Sequence, residues 1–298
     1  MTALLIMTHM IYDFSIAGIH LRCDVPFEMY MSEETEDFVL PSDSGQPAFF
    51  FHFLEVGQID PPDALDVRFQ DCVFVDSDTC RQIFRYQSFS ENPVSRVTWR
   101  AETPDALICE YTSRGRGIVY TSRDMINLLS LELFLLHFSG LLLHCSFIRS
   151  GSSGILFTAP SGTGKSTQAD LWKTIEHAEV INGDRAALLQ RDGSWTAWGL
   201  PYAGTSGIYR NLSASVDAIV VLRQAPNNFV RLLNAAEALR FVYPELTLHR
   251  WDAWFVDRAL ALLLKLLEQV PVYLLECTPD SRAVHALKSE LLKGGIRV

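Results

Sequence analysis

The stretch from Gly154 to Trp172 limits the fold of this chain more than any other part of the sequence. Residues 155–158 are apolar and predict a buried strand, and residues 167–175 predict a helix. Between them, residues 159–166 match the phosphate-binding loop pattern A-x-x-x-x-G-K-S. A strand, a glycine-bearing loop and a helix N-terminus, in this order, are typical of a site for the phosphates of a nucleoside triphosphate. The alternative is an ordinary turn of glycine and serine before a helix.

The residue types in this loop each suit polyphosphate binding. Gly162 and Gly164 allow the backbone to curl so that its N–H groups point inward at the phosphates. Lys165 is expected to reach the β- and γ-phosphates, and the Ser166 hydroxyl to hold Mg²⁺. The predicted nucleotide-binding residues are Ala159, Pro160, Ser161, Gly162, Thr163, Gly164, Lys165, Ser166 and Thr167. The motif therefore predicts ATP and Mg²⁺ as cofactors, but it does not identify the reaction.

Composition excludes several classes of protein. The net charge of −10 argues against nucleic acid as a partner. The six cysteines contain no C-x-x-C pair, which favours buried thiols in a reducing cytoplasm over a zinc site or disulfide bonds.

The apolar start, residues 1–10, has no basic segment or cleavage site, so it is interpreted as a strand and not a signal peptide. Residues 125–148 are apolar but interrupted by polar residues, so we expect a buried helix and a strand, and no membrane span.

The first part of the chain differs from the rest in charge. Residues 1–120 hold 19 Asp and Glu against 8 Lys and Arg, whereas residues 121–298 hold 16 against 17. Short apolar or alternating runs between turn residues predict a β-rich accessory or recognition domain over residues 1–120. The predicted strands are residues 3–7, 18–23, 48–54, 72–75, 96–99, 106–111 and 117–121. Its acidic surface is either simply solvated or docks a basic protein segment.

Residues 121–298 predict a second domain that carries the chemistry. A helix at about residues 123–138 and a strand at 141–148 precede the loop, and the turn at 150–154 is so short that the strands on either side must be antiparallel neighbours. After the loop, a short strand ends at Asn182, so the Asp184 carboxylate can face Ser166 and complete the metal site. Arg210 lies in a glycine-rich loop, residues 199–211, where it either stabilises transferring charge or is merely exposed.

The remaining elements of this domain are predicted from local patterns. Residues 186–190 and 194–198 form a hairpin around Asp192-Gly193. Asn234 and Asp252 are expected to cap helices at 235–242 and 253–268, and Asp280 starts a last helix that ends near Gly294. Buried strands are predicted at residues 216–222 and 270–277.

Three features resemble the catalytic domain of the HPr kinase/phosphorylase family. They are the loop sequence S-G-T-G-K-S-T, His144 on the strand before the loop, and Ile181-Asn-Gly-Asp-Arg185. The resemblance covers roughly residues 140–290. It implies a P-loop kinase domain with a mixed, partly antiparallel sheet flanked by helices, as in ATP-dependent phosphoenolpyruvate carboxykinase. It also implies a bacterial source and allows a homo-oligomer.

The chain departs from this family at one position. The family has two adjacent acidic residues where this chain has Gly183 and Asp184. The acceptor must therefore be activated by Asp184 or by His144. On its own, His144 on an apolar strand is better interpreted as a core histidine, and its position beside the strand of the loop makes a functional role equally reasonable.

The predicted function is transfer of the γ-phosphoryl group of Mg·ATP to an acceptor hydroxyl. The resemblance suggests a serine on a protein or peptide as the acceptor. The predicted catalytic residues are His144, Lys165, Asp184 and Arg210, and the predicted metal ligands are Ser166 and Asp184. A small-metabolite kinase and a nucleotide-binding regulatory switch with slow hydrolysis remain as alternatives.

Overall fold

The chain divides into two compact units, Met1–Leu131 and Glu132–Val298, in a computed structural model that describes residues 9–69, 72–77, 79–88, 90–202 and 204–298. The boundary lies after Leu131 and not after residue 120. The reason is that the helix following residue 120 is tied to unit 1. The backbone N–H of Ser122 donates to the carbonyl of Tyr30 at 2.9 Å, and the Ser122 hydroxyl accepts from the N–H of Ser32 at 2.8 Å.

Unit 1 is built on one mixed sheet of eight strands in the order β1-β2-β3-β8-β7-β6-β5-β4. The pairs β2–β3 and β3–β8 are parallel, and the other neighbours are antiparallel. The strands are β1 Met10–Ile16, β2 Ile19–Val25, β3 Phe49–Glu55, β4 Val67–Phe69, β5 Cys72–Asp76, β6 Cys80–Arg85, β7 Ser95–Arg100 and β8 Thr103–Tyr111. A short helix, α1 Glu33–Glu36, and the helix α2 Ser122–Leu128 complete the regular structure together with a 3-10 helix at Ser113–Ile118.

The expectation of a β-rich first part is met in unit 1, although β1, β4 and β6 were not predicted. The strand expected at residues 117–121 is wrong, because residues up to Ile118 end a 3-10 helix and Thr121 caps α2. The Thr121 side chain accepts from the N–H of Asp124, and the Asp124 side chain accepts from the N–H of Thr121. The strand expected at residues 3–7 lies outside the described residues.

Unit 2 also contains one mixed sheet of eight strands, flanked by helices. The strands are β9 Gly140–Ser150, β10 Ser153–Thr158, β11 Glu179–Asn182, β12 Arg185–Arg191, β13 Ser194–Trp198, β14 Ser213–Gln224, β15 Phe229–Leu232 and β16 Val272–Cys277. The helices are α3 Leu131–His137, α4 Lys165–Glu176, α5 Ala235–Val242, α6 Ala253–Gln269 and α7 Ser281–Lys293. Two 3-10 helices lie at Gly204–Ser206 and Tyr243–Glu245. The predicted fold class, a mixed α/β structure with helices flanking mixed sheets, is confirmed.

The strand that feeds the phosphate-binding loop lies in the middle of this sheet. Strand β10 is antiparallel to β9, which confirms the predicted hairpin, and it is parallel to β14 on its other edge. Because β14 also pairs with β13, β13 with β12 and β12 with β9, these five strands form a closed circuit of pairings. Buried apolar side chains fill both faces: one face packs against α5 and α6, and the other against α4 and α7. The loop at the end of β10 is thus held on a rigid scaffold.

The single helix expected at residues 123–138 is wrong, because two helices, α2 and α3, occupy this segment. Ser130, between them, has a φ of 52°, a left-handed conformation that interrupts an α-helix. Among the described residues, no helix combines the length and the apolarity that a membrane crossing requires.

Candidate active site

The phosphate-binding loop, residues 159–167, joins the end of β10 to the start of α4. Gly162 has a φ of 79° and Gly164 a φ of 115°, and an added Cβ at either position meets no atom within 4 Å. Glycine is therefore required here by backbone conformation and not by crowding. Helix α4 begins at Lys165, two residues earlier than predicted, and the carbonyl of Gly164 accepts from the N–H of Gln168 at 3.0 Å. The unpaired N–H groups of this first turn lie at the loop, where an anion is stabilised.

Lys165 is the one charged side chain held inside this loop. It is 7% exposed, and its Nζ donates to the carbonyl of Ala159 at 2.7 Å and to that of Pro160 at 3.4 Å. Burial lowers the pKa of Lys165 from its usual 10.5, and the negative charges of Glu245 and Asp184 oppose that shift. Because water solvates a buried ammonium group poorly, the negative charge of a polyphosphate beside it would stabilise its charged form.

Asp184 lies at the end of the short strand β11, as the sequence predicted. The buried side chain of Asn182 fixes this tip, since its Oδ1 accepts from the N–H groups of Asp184 at 2.9 Å and Arg185 at 3.0 Å. Its Nδ2 donates to the carbonyls of Leu200 at 3.0 Å and Tyr202 at 2.8 Å. One amide therefore joins the strand tip to the glycine-rich loop.

His144 lies at the same end of the sheet as the phosphate-binding loop. Its carbonyl accepts from the hydroxyl of Thr158, the last residue of β10, at 2.9 Å. The Cα of His144 is paired with that of Arg185, and the N–H of Cys145 donates to the carbonyl of Asp184 at 3.0 Å. The structure therefore brings His144, Lys165 and Asp184 together.

Glu245 is a member of this cluster that the sequence did not reveal. Its Oε2 lies 3.0 Å from Nδ1 of His144, and its side chain is 10% exposed. The segment after α5 places it there, because the N–H of Thr247 donates to the carbonyl of Leu142 in β9 at 3.0 Å. Glu245 follows a helix in a Tyr-Pro-Glu turn, and no local pattern in that turn indicates a role in chemistry.

The space beside Gly183, where the resembling family has its first acidic residue, is filled by another part of the chain. A Cβ added to Gly183 would lie 2.1 Å from Oγ and 2.5 Å from Cβ of Ser206. Gly204 approaches Asp184 in the same way, since its added Cβ would lie 2.7 Å from the Cβ of Asp184. The 3-10 helix Gly204–Ser206 therefore covers the strand tip and leaves no room for a carboxylate at residue 183.

The guanidinium of Arg210 is paired outside this cluster. Its Nη1 bonds to Oε1 of Glu179 at 2.6 Å, and Glu179 also pairs with Arg149. Glu179 is the first residue of β11, at the end of that strand opposite to Asp184. The side chain of Arg210 is thus directed away from Asp184, although a bridge between Asn182 and Tyr209 holds the neighbouring backbone beside the tip of β11. By contrast, Nε of Arg185 lies 3.3 Å from the Asp184 carboxylate.

The predicted magnesium ligands fit a site that is completed by phosphates. Among the described ranges, no group of three or more His, Cys, Asp or Glu side chains could hold a metal ion. Mg²⁺ at nucleotide sites commonly takes only one or two protein ligands and completes its shell with phosphate and water oxygens. Ser166 is exposed in the first turn of α4, and Asp184 is part of the same cluster as Lys165. These two residues suit such a shell.

Two cavities flank the phosphate-binding loop. One, of about 460 Å³, is lined by Pro160, Ser161, Arg223 and Phe241, among others. The other, of about 410 Å³, is lined by residues that include Thr167, Gln168, Cys277 and Pro279. Gly162, Thr163 and Gln224 line both cavities. The loop thus has open space on two sides for the remainder of a nucleotide and for an acceptor.

Comparison with known proteins shows similarity to solved structures. No protein-family model matches the chain, and no curated protein matches it. Among solved structures, the chain is similar to the structure of the Hpr(Ser) kinase/phosphatase from Coxiella burnetii, at 13% sequence identity and a TM-score of 0.31. The similarity covers 52% of this chain and 98% of that chain. A likeness of this extent assigns neither a site residue nor an activity.

Proposed function

We propose that this chain is an ATP-dependent phosphotransferase that passes the γ-phosphoryl group of Mg·ATP to an acceptor hydroxyl. The observation that carries the proposal is the geometry of residues 159–167. A loop with two left-handed glycines joins a central strand to a helix N-terminus and encloses the ammonium group of Lys165. This arrangement suits a polyphosphate.

Each residue of the cluster has a role in this proposal. The backbone N–H groups of the loop and Lys165 bind the β- and γ-phosphates, and Ser166 and Asp184 hold Mg²⁺. The bound ion would neutralise charge on the phosphates. His144 lies on β9, the neighbour of β10, close to the start of the loop. It accepts the proton of the acceptor. Because phosphoryl transfer needs little covalent participation from the protein, positioning and charge supply most of the rate enhancement.

We further propose that the acceptor is a serine hydroxyl of a protein or peptide. The support is the resemblance of the loop, of His144 and of residues 181–185 to a family of serine kinases. The cavities of about 460 and 410 Å³ beside the loop leave space for more than the phosphates.

Incubation with γ-labelled ATP and a fractionated bacterial lysate tests the proposal. The lysate is separated into macromolecules and small molecules, and each fraction is supplied to the protein with Mg²⁺. We expect label in the macromolecular fraction, on phosphoserine after acid hydrolysis. Label only in the small-molecule fraction would favour a metabolite kinase, and label only in free phosphate would favour a regulatory switch. Failure of the protein to bind ATP would contradict all three functions.

A further inference from the structure

We propose that Glu245 is a positioning residue for acceptor activation: its carboxylate orients His144 and balances the charge that His144 gains in the reaction. The inference rests on the proposed phosphotransferase function and deepens it. The resembling family has an acidic residue at the position before Asp184, and this chain has Gly183 there. In this chain a carboxylate from a distant part of the sequence reaches the same cluster.

The first support is the location of the His144–Glu245 pair. Nδ1 of His144 and Oε2 of Glu245 are 3.0 Å apart, within hydrogen-bond distance. Strand pairing holds His144 next to Thr158 and hence next to the loop, and the segment containing Glu245 is held against β9 by the Leu143–Leu246 bridge. The backbone of each residue of the pair is therefore held in place.

The second support is the hydrogen bond itself, which selects one form of the imidazole. An ionised carboxylate can only accept, so Nδ1 of His144 must carry the hydrogen. Nε2 of a neutral imidazole is then the basic nitrogen. Within the described parts of the chain, no protein group is hydrogen-bonded to Nε2 of His144, and 30% of the side chain is exposed. Nε2 is thus available to an acceptor.

The third support is that the position at which the resembling family has its first acidic residue is blocked in this chain. Ser206 occupies the space beside Gly183, so no carboxylate can be placed there without displacing the 3-10 helix. Asp184 already contacts Arg185 at 3.3 Å and is the proposed magnesium ligand. Glu245 is the carboxylate that lies at Nδ1 of His144, at 3.0 Å, and no magnesium role is proposed for it.

The proposed step balances in atoms and charge. The acceptor oxygen forms a bond to the γ-phosphorus while the bond between that phosphorus and the β,γ-bridging oxygen breaks. The electron pair of the broken bond stays on ADP, and the proton of the acceptor hydroxyl moves to Nε2 of His144. The imidazolium that results is stabilised by the Glu245 carboxylate, and the proton is later released to solvent.

Hydrolysis of γ-labelled Mg·ATP under single-turnover conditions tests the inference without knowledge of the acceptor, because water then replaces the acceptor hydroxyl. The variants are Glu245→Gln, His144→Asn and the double variant. The matched control is Glu132→Gln, whose carboxylate Oε1 lies 2.8 Å from Nε2 of another histidine of unit 2, His249. Binding of a fluorescent ATP analogue is measured for every variant.

We expect Glu245→Gln to lower the rate of phosphate release about 100-fold. Its affinity for the nucleotide should be unchanged or tighter, because a negative charge near the phosphates is removed. In the His144→Asn background, Glu245→Gln should lower the rate by less than about 2-fold, since the carboxylate acts through the imidazole. Glu132→Gln should retain the wild-type rate.

Three results would overturn the inference. The first is an unchanged rate for Glu245→Gln, and the second is an equal fold-loss with and without His144. The third is weaker nucleotide binding together with the slower rate, because that points to a general disturbance of the fold. If wild-type protein neither releases nor transfers the γ-phosphate, the proposed function itself fails, which separates that outcome from the others.

Discussion

Asn182 shows at the residue scale how one side chain can define a site. Its amide is buried and makes four hydrogen bonds, two to the backbone around Asp184 and two to the loop carbonyls of Leu200 and Tyr202. Aspartate could not replace it, because a carboxylate cannot donate to the two carbonyls. The orientation of the proposed magnesium ligand therefore depends on an asparagine that contacts no ligand itself.

We predict that Asn182→Ala lowers the free energy of unfolding by about 2–4 kcal/mol, because four buried hydrogen bonds are lost. Urea-induced unfolding measures this loss. The control is Asn228→Ala: that side chain makes two hydrogen bonds to Thr278 from a partly exposed position, so a cost of about 1 kcal/mol is expected. Equal costs for the two variants would contradict the assigned role.

Asp13 in unit 1 provides a prediction that depends on pH. It is 5% exposed and accepts from Nε and Nη2 of Arg22 at 2.8 and 2.9 Å, with Nε2 of His20 at 3.0 Å. Burial acts to raise the pKa of Asp13, but the hydrogen bonds from Arg22 and His20 outweigh it and hold the pKa below 3.8. A carboxyl group with a lowered pKa in the folded state stabilises the fold above its unfolded pKa, and this contribution is lost as pH falls through the folded value.

We therefore expect Asp13→Asn to destabilise unit 1 by about 2 kcal/mol at neutral pH. The difference from the wild type should shrink below about pH 3.8, where the wild-type carboxyl group also becomes protonated. Hydrogen exchange of the β1 and β2 amides at several pH values measures both effects. The exposed Asp43→Asn serves as the control and should have no effect at any pH. A pH-independent loss for Asp13→Asn would contradict the explanation.

The sequence predicted those site residues that lie in or next to a local motif. Lys165 and Ser166 follow from the loop pattern and Asp184 from the strand after it, whereas His144 was predicted from the resemblance to the HPr kinase/phosphorylase family. Glu245 was missed because 101 residues separate it from His144, and only the packing of the segment after α5 brings the two together. Ser206 was missed for the same reason. Arg210 was predicted to be catalytic because it lies in the glycine-rich loop, and the sequence did not reveal its ion pair with Glu179.

At the scale of elements, helices with capping residues were predicted best. Helix α5 has the predicted bounds, and Asn234 accepts from the N–H of Glu237 at 3.0 Å as a capping residue should. Capping is local chemistry and is visible in sequence. Strands β1, β4, β6 and β15 were not predicted, because a short strand with charged or exposed side chains is defined by its neighbour in the sheet.

The phosphate-binding loop is an element whose conformation can be tested directly. We predict that Gly164→Ala weakens binding of Mg·ATP about 10-fold, because alanine disfavours the φ of 115° by about 1–2 kcal/mol. Isothermal titration calorimetry with Mg·ATP measures the affinity. Gly57→Ala is the control, since its Cβ also meets no atom within 4 Å but its φ is not left-handed. A normal affinity for Gly164→Ala would show that the loop conformation does not matter for binding.

At the scale of the whole molecule, the proposed active site and the excess of negative charge lie in different parts of the chain. All members of the proposed site belong to unit 2, whereas the excess of acidic residues lies in residues 1–120. We propose that this acidic part of the chain recognises a basic segment of the acceptor.

Transfer of the γ-phosphoryl group by the full chain, with Lys165→Ala as the decisive variant, tests the central claim most directly. The account predicts that wild-type protein transfers label from γ-labelled Mg·ATP and that Lys165→Ala loses at least about 100-fold of this activity while remaining folded by circular dichroism. Lys173→Ala, an exposed lysine on the same helix α4, should retain full activity. Full activity in folded Lys165→Ala would contradict the account.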